Sequence, residues 1–113
     1  MLERLKRRGG SINLIVHESK INQTIRELEY SGRNPEYLAA LKEVSQEIKG
    51  VKKSPDTGFV AVEHYEPRRI GDDIGRAGHV TLFGCHRRAC LKWAGEAARK
   101  AGASVTISEK GSI

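Results

Sequence analysis

The sequence predicts an α+β domain in which a mixed β-sheet is packed by two N-terminal amphipathic helices and one C-terminal helix. Three observations lead to this class: short segments of strand-like apolar residues, three segments with apolar residues at helical spacing, and Gly- or Pro-containing turns between them. The predicted order is strand, helix, helix, strand, strand, helix, strand. An order with two successive strands is typical of helices layered on a mixed sheet.

A strand and two helices form the predicted N-terminal half. Residues 11–17 alternate as a strand does, and a helix follows over about 20–30. The second helix begins at Asn34 and Pro35, since Asn caps a helix and Pro suits its first position. The apolar stripes are Ile21, Ile25 and Leu28 in the first helix and Leu38, Leu41, Val44 and Ile48 in the second. We expect both stripes to pack on one face of the sheet.

The predicted C-terminal half contains three strands and one helix. Residues 59–65 are strand-like, and residues 68–79 form a long mobile loop with three glycines. A short strand over 80–83 precedes a helix over 86–101, which Gly102 ends. Residues 103–108 form the last strand.

Length and composition indicate one basic domain. The 113 residues divide into a basic arm, 1–10, and a single α+β domain, 11–113, with a net charge of +6. No apolar run approaches the roughly 20 residues of a membrane span, and no signal region follows the arm. Two cysteines favour reduced thiols and a cytoplasmic location. Aromatic residues make up only 5%, which argues against a base-stacking surface.

Four candidate metal ligands lie within twelve positions: His79, Cys85, His86 and Cys90. Structural zinc sites are usually built from closely spaced Cys or His pairs in tetrahedral geometry. The five-residue spacing of the cysteines places them on different sides of a helix. We therefore predict no metal and no cofactor, with Cys90 as a core cysteine.

Cys85 is also a candidate for a reactive thiolate. It precedes Arg87 and Arg88 at a predicted helix N-terminus, a setting that lowers the pKa of a thiol. However, no residue in the sequence is evident as the orienter of a Cys–His pair. A structural cysteine is the preferred interpretation.

The glycines of residues 71–79 match neither a dinucleotide-binding fingerprint nor a phosphate-binding loop. Asp72 and Asp73 in this segment are interpreted as a solvated pair. No catalytic residues can be assigned, neither paired carboxylates nor a triad. The sequence analysis therefore predicts that the chain is not an enzyme.

The segment 68–100 is strongly basic, with eight Lys or Arg residues against three acidic ones. Such a cluster favours an anionic partner, either a nucleic acid or an acidic protein. The residues predicted to contact this partner are Arg68, Arg69, Arg76, Arg87, Arg88 and Lys92.

The chain resembles the tail-completion, or head–tail joining, proteins of tailed bacteriophages over about residues 11–84. The resemblance rests on a strand and two helices followed by the turn Ser54-Pro55-Asp56-Thr57-Gly58, and on the later segment Gly78-His79-Val80-Thr81-Leu82-Phe83-Gly84. The sequence departs from the family in two places: it lacks an acidic residue before Phe83 and a threonine after Gly84, and a strand, Val105–Ser108, follows the last helix.

The resemblance implies a non-enzymatic structural subunit of a virion, located at the neck or tail and forming a homo-oligomeric ring with neighbouring virion proteins. The basic segment would then face DNA or an acidic neighbour. The alternative is a small basic nucleic-acid-binding regulatory or accessory protein. No membrane partner is expected.

Overall fold

The computed structural model describes residues 9–54, 56–64 and 66–113. Four strands and four helices follow one another in these residues. They are β1 (Gly9–Val16), α1 (Glu18–Ser31), α2 (Pro35–Lys53), β2 (Phe59–Val62), α3 (Pro67–Ile74), β3 (Ala77–Gly84), α4 (Cys90–Lys100) and β4 (Ser104–Ser112).

The four strands form one sheet in the order β2-β1-β3-β4, and every pair is parallel. Asn13 pairs with Phe59 on one side of β1, and Leu14 pairs with Leu82 on the other. The chain is therefore an α/β protein, and the predicted α+β class with a mixed sheet is wrong. Leu14, Ile15 and Val16 are fully buried, as expected for a parallel strand covered on both faces.

The cause of this error is α3, which lies in the segment predicted to be a mobile loop. Consecutive strands that run parallel in one sheet need a crossover connection. This helix supplies it between β2 and β3, which lie on either side of β1. Pro67 occupies its first turn, and Ile70 and Ile74, four residues apart, are buried. The glycines at 71, 75 and 78 had favoured a loop, but helical spacing of the two isoleucines was present in the sequence.

Other boundaries also differ from the prediction. β3 begins at Ala77, α4 begins at Cys90 rather than near residue 86, and β4 continues to Ser112. Gly9 and Gly10 belong to β1, whereas residues 1–8 of the predicted arm lie outside the described residues. Pro55 of the predicted turn and Tyr65 of the predicted strand lie outside them too.

Two hydrophobic cores lie on opposite faces of the sheet. One contains buried residues of the sheet, α3 and α4: Leu14, Val16, Val62, Ile70, Ile74, Val80, Leu82, Leu91, Ala94, Ala97, Ala98 and Ala103. The other contains Ile15, Ile21, Leu41, Val44, Ile48, Phe83 and Cys85, with α1 and α2 as its cover. The two N-terminal helices thus share one face, as their apolar stripes predicted.

Within residues 9–54, 56–64 and 66–113, no helix combines the length and apolarity needed to cross a membrane.

Candidate functional site

The carboxyl ends of β1, β2 and β3 meet at one edge of the sheet. The connection from β1 passes to β2 on one side, and the chain then returns across β1 to β3 on the other side. Helices consequently leave β1 and β3 on opposite faces of the sheet. In open parallel sheets, ligands bind at the carboxyl ends of strands whose helices diverge in this way. The residues that follow these strands are His17, Glu63 and Cys85.

His17 connects β1 to α1 and is held by its backbone on both sides. It has a left-handed conformation, with φ of 57°, and its amide N–H donates to the carbonyl oxygen of Val62 at 2.9 Å. The carbonyl oxygen of His17 accepts from the amides of Lys20 and Ile21 in the first turn of α1. These bonds fix the position from which the imidazole extends.

Glu63 orients the imidazole of His17. Its carboxylate oxygen Oε1 lies 3.5 Å from Nδ1 of His17 and accepts the hydroxyl of Ser19 at 2.6 Å. Its other oxygen accepts the amide N–H of Ser19 at 3.4 Å. The carboxylate therefore also binds the N-terminus of α1, a favourable location for negative charge. In a neutral imidazole with its proton on Nδ1, the atom nearest Glu63, the lone pair is on Nε2.

Cys85, which directly follows β3, is 2% exposed. Its Sγ lies 4.0 Å from the carbonyl oxygen of His17. The pKa of this thiol is raised from its ordinary value of 9.0 to about 11, mainly by burial and also by the nearby Cys90. Lys20 lowers the same pKa and Glu63 raises it, so these charged groups also lie around Cys85. The structure thus reverses the depressed pKa that the sequence had indicated for Cys85.

Cys90 is the first residue of α4 and is half-buried. The predicted helix start near residue 86 would have made it a core position one turn into the helix. Instead, its amide N–H belongs to the first turn of α4, where helical N–H groups have no partner within the helix. None of the other described residues accepts a backbone hydrogen bond from this amide. The first turn of α4 therefore offers a donor for negative charge beside the Cys90 thiol.

The segment between β3 and α4 has an irregular backbone. Gly84 has φ of 116°, and a Cβ atom there would lie 1.9 Å from the carbonyl oxygen of Val16. The peptide bond between Cys85 and His86 is cis. The carbonyl oxygen of His86 accepts the amides of Ala89 and Leu91 at 3.0 and 3.1 Å. The absence of a side chain at Gly84 thereby allows the end of β3 to lie against the end of β1.

A second His–carboxylate pair joins the segment after β2 to α3. Nε2 of His64 is 3.0 Å from Oδ2 of Asp73, and its Nδ1 accepts the amide of Glu66 at 3.3 Å. Both ring nitrogens of His64 are therefore used within the chain. The pair joins the end of β2 to α3, which is a structural role.

The four predicted metal-ligand candidates do not converge. His79 lies at the start of β3, with Nδ1 2.6 Å from the hydroxyl oxygen of Ser104, whereas Cys85 follows the end of that strand. The two residues are six positions apart along an extended chain, roughly 20 Å at 3.3 Å per residue. His86 is exposed, and its Nε2 lies 3.3 Å from the hydroxyl of Tyr37. Among the residues the structure describes, no three His, Cys, Asp or Glu side chains are grouped as metal ligands.

The six basic residues predicted to contact an anionic partner are all exposed but do not form one cluster. Arg68 and Arg69 lie on α3, and Arg69 pairs with Glu66 at 3.7 Å. Arg76 precedes β3 at the opposite edge of the sheet from Arg87 and Arg88, which precede α4, and Lys92 lies on α4. The guanidinium of Arg87 hydrogen-bonds to the end of β4. Contact with an anionic partner stays a prediction.

His17 and Glu63 were absent from the sequence-predicted site. Both had been assigned to strands, so neither was recognised as the first residue beyond a strand. The available signal was a buried apolar strand followed directly by a polar side chain, repeated at β1 and β2. That signal has meaning only for parallel strands, whose carboxyl ends share an edge.

Comparisons with known proteins found little. No protein-family model matches the chain, and no curated protein matches it. Among solved structures, the crystal structure of the nicotinamidase SaPncA from Staphylococcus aureus is similar, with a TM-score of 0.46 and 16% sequence identity. The match covers 92% of this chain and 82% of that chain.

These findings correct the predicted function. The virion-subunit prediction rested on the resemblance of residues 11–84 to tail-completion proteins, and the comparisons give it no support. The prediction that the chain is not an enzyme finds no support in the comparisons, whose similar solved structure is a nicotinamidase. The resemblance to tail-completion proteins has no counterpart among the comparisons.

Proposed function

We propose that this chain is a cysteine-dependent acyl-transfer enzyme that hydrolyses a small ester or amide. Cys90 is the nucleophile, His17 the general base and Glu63 the residue that orients the base. The observation that carries the proposal is the His17–Glu63 pair at the carboxyl ends of parallel strands, where Cys85 contacts the backbone of His17 and Cys90 is close enough to Cys85 to raise its pKa. A nucleophile, a base and an oriented carboxylate are the parts that covalent acyl transfer requires.

Burial decides between the two cysteines. Cys85 is 2% exposed and has a pKa of about 11, so its thiol is protonated and out of contact with a substrate near neutral pH. Cys90 is half-buried, starts α4, and lies close enough to Cys85 to raise the pKa of that thiol. Cys85 in turn contacts the backbone of His17. Cys90 and His17 are therefore both near the same buried thiol.

The proposed reaction has two steps. The Cys90 thiol gives its proton to Nε2 of His17, and the sulfur attacks the substrate carbonyl carbon. The resulting oxyanion is stabilised by N–H groups in the first turn of α4. His17 then protonates the leaving group, and a thioester remains on Cys90. Water, deprotonated by His17, attacks the thioester and releases a carboxylic acid and the free thiol.

An activated ester tests this proposal directly. With para-nitrophenyl acetate, we expect a burst of para-nitrophenolate and an acetyl group on the peptide that contains Cys90, identified by mass spectrometry. Cys90→Ser should abolish the burst, and His17→Gln should slow it by about 10²–10⁴-fold, the usual contribution of a general base. Glu63→Gln should slow it less, because the imidazole remains in place.

Arg88→Gln is the matched control, since Arg88 is exposed and adjacent in sequence to the segment that positions Cys90. It should leave the burst unchanged. An unchanged burst in Cys90→Ser, or acetylation at another residue, would show that Cys90 is not the nucleophile.

A further inference from the structure

Arg87 lies between the two cysteines and makes four hydrogen bonds to the end of the chain. Its amide N–H donates to the carbonyl oxygen of Ile113 at 2.8 Å, and Nε donates to the hydroxyl of Ser112 at 2.7 Å. Nη2 donates to the carbonyl oxygens of Ser112, at 3.2 Å, and of Glu109. The side chain is thus bound to backbone and hydroxyl oxygens rather than to a carboxylate.

The acceptors exist because β4 is irregular where it meets the end of β3. Leu82 pairs with Ile107, whereas Gly84 pairs with Ser112, so three extra residues of β4 are accommodated between these pairs. The amide of Gly111 is satisfied by the hydroxyl of Ser108 at 2.9 Å. The carbonyls of Glu109 and Ser112 are directed to Arg87. The irregular end of β4 therefore forms a cradle for one guanidinium.

This cradle joins three parts of the candidate site. Ile113 donates its amide to the carbonyl oxygen of Gly84 at 3.0 Å, and Gly84 is followed directly by Cys85. Arg87 follows the Cys85–His86 peptide and precedes Cys90 by three residues. The end of β4 is thus attached on both sides of Cys85, to Gly84 and to Arg87.

We propose that Arg87 is a positioning residue that sets the orientation of the Cys90 thiol and of the first turn of α4 by holding the preceding segment against the end of β4. The proposal rests on the proposed function of Cys90. Nε and Nη2 of Arg87 both donate within the chain, so these two nitrogens hold the segment to β4. Lysine cannot replace it, since an ammonium group lacks the planar set of donors that reaches several oxygens at once.

The test measures the reactivity of Cys90 separately from turnover. The rate of Cys90 alkylation by iodoacetamide is followed by peptide mass spectrometry, and ester hydrolysis is followed with para-nitrophenyl acetate. Arg87→Ala should lower kcat by about tenfold to a hundredfold, the range for loss of charged hydrogen bonds, with KM little changed. It should also lower the alkylation rate of Cys90 in the same variant. Guanidinium ion at millimolar, non-denaturing concentration should restore part of both rates.

Arg88→Ala is the control, with rates equal to those of the parent chain. Should Arg87→Ala fail to fold by circular dichroism, Arg87→Lys replaces it and should also be slow. Equal rates in Arg87→Lys and the parent, or no rescue of a folded Arg87→Ala by guanidinium, would overturn the proposal. If the parent chain does not hydrolyse the ester but Arg87→Ala changes alkylation with guanidinium rescue, the proposed function fails while the positioning role stands.

Discussion

At the scale of single residues, Cys85 and Cys90 are five positions apart but differ in burial, pKa and role. Cys85 is enclosed by the core that α1 and α2 cover, whereas Cys90 begins a helix at the edge of the sheet. Burial makes the first thiol resistant to ionisation, because an apolar environment disfavours the charged form. The sequence had indicated a core position for Cys90 and a lowered pKa for Cys85, with a structural role preferred for Cys85.

Alkylation distinguishes the two thiols. With excess iodoacetamide near pH 8 and without denaturant, we expect carbamidomethylation at Cys90 and an unmodified Cys85. Cys85 is 2% exposed and keeps its proton at this pH because its pKa is about 11. Denaturant should make both residues react. Modification of Cys85 at the same rate as Cys90 in the native protein would contradict the burial described here.

The raised pKa of Cys85 also predicts a pH dependence of stability. Below pH 9 the thiol is protonated in the folded and unfolded chains, so it has no effect on the pH dependence. Between pH 9 and pH 11 the unfolded chain loses this proton while the folded chain keeps it, so the free energy of unfolding falls as pH rises. The loss should reach up to about 3 kcal/mol.

Urea unfolding at pH 8.5 and at roughly pH 11 measures this loss, with Cys85→Ala as the comparison. The variant has its own cavity cost at both pH values, and lysine and tyrosine titration is common to both chains. The decrease should therefore be larger in the parent chain than in the variant. Equal decreases would show that the Cys85 thiol ionises normally in the folded protein.

At the scale of elements, Gly84 allows the end of β3 to lie against the end of β1. A Cβ atom at this position would lie 1.9 Å from a backbone oxygen of Val16, and its φ of 116° is unfavourable for other residues. Gly84→Ala should destabilise the fold by about 3 kcal/mol or more, because backbone rather than a flexible side chain must move.

Gly50 is the matched control for Gly84. It lies within α2 and has no atom within 4 Å of an added Cβ. Gly50→Ala should raise the free energy of unfolding by about 0.5–1 kcal/mol, since glycine weakens a helix interior. The thermal midpoints of the two variants should therefore shift in opposite directions. A tolerated Gly84→Ala would indicate that the two strand ends are farther apart.

The apolar stripe of α2 is covered by the sheet rather than available to a partner. Leu41 is 1% exposed and lies in the core with Ile15 and Phe83. Leu41→Ala should cost about 2–5 kcal/mol by calorimetry or urea unfolding. Lys42→Ala, which removes an exposed ion pair with Glu29, should cost less than about 1 kcal/mol. Similar stabilities for the two variants would place the stripe outside the core.

At the scale of the whole molecule, the predictable parts of the fold were those encoded by local spacing. The helices predicted over 20–30 and from Asn34 are present as α1 and α2, because apolar residues recur at helical intervals there. The sheet was predicted incorrectly because one short glycine-containing helix, α3, decides whether β2 and β3 can be parallel. His17 and Glu63 could not be assigned without that topology, since they are 46 residues apart and meet only at a shared sheet edge.

Metal removal is a test that concerns the whole molecule. We expect excess chelator to leave the circular dichroism spectrum and the thermal midpoint unchanged. A structural metal contributes directly to the free energy of folding, so its removal would lower the thermal midpoint. Stoichiometric zinc in the purified protein, lost in Cys90→Ser, would instead assign the thiols to a metal. Assembly into a homo-oligomer likewise stays a prediction, and mass measurement in solution checks it.

The central place of β1 has a consequence for synthesis on the ribosome. β1 is made before β3, its long partner, which begins only after residues 17–76 have been added. At roughly 5–20 residues per second, the apolar segment Leu14-Ile15-Val16 of β1 has no β3 to pair with for roughly 3–12 seconds. This central segment is thus made well before the strand that encloses it on one side, and during that interval the nascent chain presents it to any chaperone that binds extended apolar peptides.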